Sequence, residues 1–148
     1  MVTSTIVMLT CLGHVEGKRL LDGRTGDGSV GLTNNSGSSG TSWRRRDHGN
    51  NVWTLECLGD TPGDRFLDGV VESGTVQLAP HVRPPFTGTQ WRANRVGPGD
   101  RFTLECLGIG SGDRRFLDGN TGQGTVALAP STEAPFTGTL WQVGVRID

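Results

Sequence analysis

Apolar and polar residues alternate along three separated stretches of this chain: Val7, Leu9, Cys11; Trp53, Leu55, Cys57; and Phe102, Leu104, Cys106. An apolar period of two predicts a half-buried β-strand in each. Glu56 and Glu105 fall on the opposite phase, where such a strand faces solvent. Each stretch also opens the same series of motifs. Cys-Leu-Gly (Cys11, Cys57, Cys106) leads to Leu-Asp-Gly (Leu21, Leu67, Leu117), then to Gly-Ser/Thr-Val-x-Leu (Gly28, Gly74, Gly124), and closes on Gly-Thr-x-Trp (Gly40, Gly88, Gly138). The cysteines lie 46 and 49 residues apart and the closing tryptophans 48 and 50. A repeat of this period is one supersecondary unit that cannot bury its apolar face alone.

Within each repeat the pattern predicts a second strand (Arg19–Asp22, Arg65–Asp68, Arg115–Asp118), a third (Thr75–Leu78 and its copies), and a fourth carrying the Trp. Asp-Gly, Pro-Gly and glycine-rich breakers separate them. No helical period occurs. Repeats at about 1–50, 51–98 and 99–148 fill one all-β domain over 1–148 with twelve strands. Propellers typically need about four or more blades to close. Three units are expected to close instead as a β-trefoil, a six-stranded barrel of first and fourth strands capped by three hairpins of second and third strands. The tryptophans then share a hydrophobic centre.

Composition adds limits. An apolar content of 33% is low, but 24 glycines and seven prolines suit many short strands and turns. A net charge of −1 gives no reason to expect nucleic acid or an anionic membrane as main partner. The single basic run, Arg44 to Arg46, reads as a solvated strand end. No stretch approaches a membrane span, so no membrane insertion is expected. Residues 1–10 lack a positive n-region and a cleavage site, so the expected location is cytoplasmic, or outside the cell by release without a signal peptide. Three cysteines cannot pair off, and they read as buried, reduced core thiols. A metal held by three thiolates on a threefold axis is the alternative, but no nearby His or Cys completes a ligand spacing. No metal and no cofactor is expected.

The ordered Leu-Asp-Gly, Gly-x-x-x-Leu and Trp motifs resemble the ricin-type β-trefoil lectins over essentially the whole chain. The resemblance implies a sugar-binding role for Asp22, Asp68 and Asp118, and places Trp43, Trp91 and Trp141 at the family's repeat-ending Trp. Two departures stand out. Thr41, Thr89 and Thr139 replace the glutamine of Gln-x-Trp, and Thr33, Ala79 and Ala129 occupy the position of the sugar-stacking aromatic.

The chain has nine aromatic residues and no Tyr. Trp43, Trp53, Trp91, Trp141, Phe66, Phe102 and Phe116 sit at core-phase or repeat-invariant positions, where burial is the default. Phe86 and Phe136, in the two Pro-Phe-Thr-Gly segments, either cover the nearby Trp or present a face to a sugar. The three aspartates have two open roles as well: an Asx-type turn, or acceptance of strong hydrogen bonds from vicinal hydroxyls. Arg24 and Asn120 stand beside the first and third. Repeat 2 offers Gln77 on its third strand and His81 in the following loop.

No catalytic residue is expected. His14, His48 and His81 are non-equivalent and lie beside no Ser or Cys nucleophile. Residues 108–112 form a glycine-rich turn with no helix to receive a phosphate. The expectation is a non-catalytic lectin that binds glycans or glycoconjugates at up to three weak sites. Its alternatives are a protein-binding trefoil, such as a protease inhibitor acting through the proline-bearing loops 80–87 or 130–137, and a ligand-free structural module.

Overall fold

A computed structural model describes residues 3–146 and is all-β. Its strands are β1 (Thr3–Cys11), β2 (Leu20–Arg24), β3 (Ser29–Thr33), β4 (Trp43–Asp47), β5 (Val52–Cys57), β6 (Phe66–Val70), β7 (Thr75–Ala79), β8 (Trp91–Arg95), β9 (Arg101–Cys106), β10 (Phe116–Asn120), β11 (Thr125–Ala129) and β12 (Trp141–Val145). The helical content of the described residues is three single 3-10 turns, Ser39–Thr41, Thr87–Thr89 and Thr137–Thr139.

Antiparallel pairing runs β1–β4–β5–β8–β9–β12 and returns from β12 to β1, so these six strands close a ring. The other six form hairpins β2–β3, β6–β7 and β10–β11. The hairpins join cyclically. Leu32 N–H donates to Gly124 O, Leu78 to Gly28 O and Leu128 to Gly74 O, each at 2.9 Å.

Inward-facing alternate residues of the ring fill the core: Val7, Leu9, Leu55, Leu104 and Val143, with Trp43, Trp91 and Trp141 fully buried. Each indole N–H donates to the carbonyl just before an aspartate: Trp43 to Leu21 O at 3.0 Å, Trp91 to Leu67 O at 3.0 Å and Trp141 to Leu117 O at 2.9 Å. A buried indole needs such a partner. Phe66 and Phe116 depart from expectation. They head the hairpin strands, are only half-buried and lie outside the core cluster.

Cys11, Cys57 and Cys106 are buried and unpaired, as expected, and each lies on the repeat boundary. Cys57 Sγ contacts Gly23 O and Gly40 O at 3.5 and 3.6 Å, and Cys106 and Cys11 repeat this against Gly69/Gly88 and Gly119/Gly138. The three sulfurs therefore serve three separate junctions. Among the described residues no group of three or more His, Cys, Asp or Glu is placed to hold a metal ion.

Two outcomes follow from this core. Burial raises the pKa of all three thiols, so an aromatic disulfide reagent should label native protein slowly and all three cysteines promptly in denaturant. Trp91→Phe keeps most of the ring volume but strands the buried Leu67 carbonyl. Urea titration should show a loss of about 1–3 kcal/mol.

Candidate functional site

Each Leu-Asp-Gly lies within a hairpin strand, where alternation aims the leucine into the core and the aspartate at the opposite face. Asp22 pairs with Gly31, Asp68 with Gln77 and Asp118 with Ala127 across the hairpin. The glycine of the closing Gly-Thr-x-Trp lies against that strand. A Cβ on Gly40 would meet Gly23 O at 2.1 Å and Asp22 Oδ1 at 2.4 Å, and one on Gly88 or Gly138 would meet the equivalent carbonyl at 1.8 Å. Only glycine permits this approach, which brings the 3-10 turn beside each carboxylate. The threonines that replace the expected glutamine close those turns: Thr41 Oγ1 donates to Ser38 O at 2.7 Å, Thr89 to Phe86 O at 3.0 Å and Thr139 to Phe136 O at 2.9 Å.

A cavity stands at each aspartate, about 340 Å³ at Asp22, 230 Å³ at Asp68 and 180 Å³ at Asp118. Every one is built across a repeat boundary. The Asp22 cavity takes Asp60 and Thr61 from repeat 2, the Asp68 cavity Ile109 from repeat 3, and the Asp118 cavity Val15 from repeat 1. Arg65 braces the first of these boundary loops, its Nη1 donating to Cys57 O and Gly59 O at 3.1 and 2.7 Å. Arg19 and Arg115 do the same for the other two.

Asp22 and Asp68 are 8% and 3% exposed, and Asp118 is half-buried. The turn role does not hold for any of them, because none of the three carboxylates accepts a backbone N–H among the described residues. Asp22 Oδ1 accepts from Ser38 Oγ at 3.4 Å and Asp68 Oδ2 from Gln77 Nε2 at 2.8 Å. The Asp118 carboxylate has no hydrogen-bond partner among the described residues. Burial pushes all three pKa values above the ordinary carboxylate. Nearby Arg24 and the Ser38 hydroxyl pull Asp22 back, and Gln77 pulls Asp68 back, while Asp118 has nothing to offset the desolvation.

Of the other sequence candidates, Arg24 lines the Asp22 cavity, Gln77 and Phe86 line the Asp68 cavity, and Asn120 lines the Asp118 cavity. Phe136 is absent from the lining of the Asp118 cavity, where Pro135 and Thr137 stand instead. His81 lines none of the three; its ring packs edge-on against Phe86, centroids 5.1 Å apart. Sequence reasoning missed the wall donated by the following repeat. Its trace was the variable loop after each Cys-Leu-Gly, which supplies Val15, Asp60 with Thr61, or Ile109.

Neither the protein-family models nor the curated proteins contain a match to this sequence. Solved structures do match in fold. SeviL bound to asialo-GM1 saccharide superposes with a TM-score of 0.68 at 13% identity, over 98% of this chain and 100% of that one.

The electrostatics yield a signed outcome for Asp118. Its folded pKa is raised above the unfolded value, so the destabilisation from burying its charge is complete above the folded pKa. That destabilisation is relieved as pH falls through the folded pKa toward the unfolded one. Asp118→Asn should therefore raise Tm at neutral pH by an amount of the order of a few degrees. The gain should shrink as pH is lowered through that window, as read by thermal melts across pH.

Proposed function

We propose that this protein is a non-catalytic carbohydrate-binding β-trefoil lectin, a diverged relative of the ricin-type family, with up to three weak glycan sites at Asp22, Asp68 and Asp118. The observation that carries this reading is a carboxylate at the same place in all three repeats, of which Asp118 is half-buried and has no protein hydrogen-bond partner among the described residues. It opens into a cavity that recurs at Asp22 and Asp68. A partly exposed carboxylate that the protein does not engage keeps its acceptor capacity for a ligand rich in hydroxyl donors. A pair of vicinal sugar hydroxyls fills it well, because a carboxylate accepts charge-assisted bonds on both oxygens.

The fold likeness to a saccharide-bound protein supports the same reading. So does the shape of the sites. They are small, at about 180–340 Å³, and each carries a carboxylate, which suits one terminal sugar unit. Three such sites on one rigid body turn weak contacts into useful avidity when the target is itself multivalent.

The test is Asp→Asn at positions 22, 68 and 118, singly and together, with glycan-array binding and Tm measured on each variant. Hydrogen bonds to a charged acceptor are worth about 1.5–3 kcal/mol, so each substitution should weaken its own site by roughly tenfold or more. The triple variant should lose retention on a multivalent glycan surface while staying folded. Undiminished glycan binding in that variant would sink the assignment of the sites.

A further inference from the structure

The three cavities share a backbone and differ in what lines it. At each repeat boundary, the residue after Cys-Leu-Gly is pinned through its own N–H to the 3-10 turn of the preceding repeat. Asp60 N–H donates to Ser39 Oγ at 3.0 Å, Ile109 to Thr87 Oγ1 at 2.9 Å and His14 to Thr137 Oγ1 at 3.1 Å. The backbone place is constant; Asp60 and Ile109 line their cavities from it, whereas at Asp118 the next residue, Val15, takes that part and His14 lies outside the lining.

At Asp68 the aliphatic choice is reinforced from every side. Ile109 is 83% exposed, far more than any core-type residue needs, and it lines the cavity together with Phe86, Pro85 and Val71. Val71 stands where Thr25 and Thr121 stand in the other repeats. Those threonines spend their hydroxyls tethering the neighbouring loop, Thr25 to Thr61 O at 2.5 Å and Thr121 to Val15 O. In repeat 2 the tether passes to Glu72, whose Oε1 accepts from Ser111 N–H at 3.0 Å, and Val71, 4% exposed, packs its methyls against Gly108 and Gly112 of that loop at the cavity wall. The Asp22 cavity has no apolar side chain in its lining, and the Asp118 cavity has Val15 and Pro135 but no aromatic.

We infer that the Asp68 site selects a sugar unit carrying a methyl group, with Ile109 as the specificity-determining residue. This rests on the carbohydrate reading above and deepens it for one site. Asp68 and the Gln77 amide that braces it take the hydroxyls of the ring. Phe86 meets the ring's C–H face, and the exposed Ile109 removes the methyl from water. Two common sugar classes present that chemistry, the N-acetylhexosamines and the 6-deoxyhexoses.

The experiment isolates the site in a full-length Asp22→Asn/Asp118→Asn background and compares it with the same protein carrying Ile109→Ser. Two matched ligand pairs are titrated: an N-acetyl against an N-formyl hexosamine, and a 6-deoxyhexose against its parent hexose. Burying one methyl should give the methylated member of at least one pair about fourfold tighter binding, and Ile109→Ser should bring that ratio to about one. The pair that responds identifies the sugar class. Saturation transfer from the Ile109 methyls to the ligand methyl should appear for that pair and vanish in the serine variant. Equal affinities within both pairs, or a preference that survives Ile109→Ser, would overturn the inference. The lectin reading would still stand in that case, provided Asp68→Asn weakens sugar binding. If the intact chain binds none of the four sugars nor any array glycan, the carbohydrate reading fails and this inference fails with it.

Discussion

Everything in this fold turns on how closely the Gly-Thr-x-Trp segment approaches the Leu-Asp-Gly strand. Gly40, Gly88 and Gly138 come so near the carbonyl of the opposing glycine that no Cβ fits between them. The same contact lets the indole N–H reach the leucine carbonyl beside the aspartate. It leaves room below for one sulfur, the cysteine of the next repeat, touching both glycine carbonyls. A Cβ on Gly23 would stand 2.7 Å from Cys57 Sγ and 3.0 Å from Trp43 Cη2. Four motif residues thus lock one junction, and the motifs repeat because the junction repeats.

The candidate sites are a consequence of that lock. Since the sulfur belongs to the following repeat, the loop after it arrives at the rim of the preceding repeat's cavity. An arginine holds the loop there through backbone carbonyls, a contact indifferent to the side chains it displays. No repeat therefore owns a complete cavity, and Val15 of the first repeat serves Asp118 of the third. The Asp118 cavity thus exists only once the last repeat has met the first.

Much of this was legible in the chain. Period-two alternation and glycine breakers located the strands, and the repeated Leu-Asp-Gly located the three carboxylates that the cavities surround. Phe66 and Phe116 misled because an apolar residue at that position in every repeat, Leu20 in the first, was equated with burial. They recur as edges of the hairpins, half-covered by their own strands. The turn role of Asp-Gly was open in sequence because it depends on the next strand's register. Here that register keeps the dipeptide extended, paired across the hairpin with Gly31, Gln77 or Ala127. His81 and Phe86 look interchangeable on paper. Only the packing separates them, since the imidazole stands edge-on to the phenyl ring and outside the lining of the cavity that the phenyl ring faces.

The least legible feature was the wall supplied from 40 or so residues downstream, because a motif search reads each repeat within its own limits. The division of labour behind it is nonetheless physical. Positions that lock the junction tolerate almost nothing, since an added carbon meets backbone or sulfur. Positions one residue further on project into solvent from a backbone already fixed by an N–H donor, so their side chains are released from any structural duty. A threefold scaffold of this kind holds three carboxylates in equivalent places while leaving each rim free to diverge. Asp60 and Ile109 are that divergence, occupying the same backbone position with opposite preferences for water. Symmetry therefore governs where a ligand would be held, and its absence at the rim governs which ligand each cavity would hold.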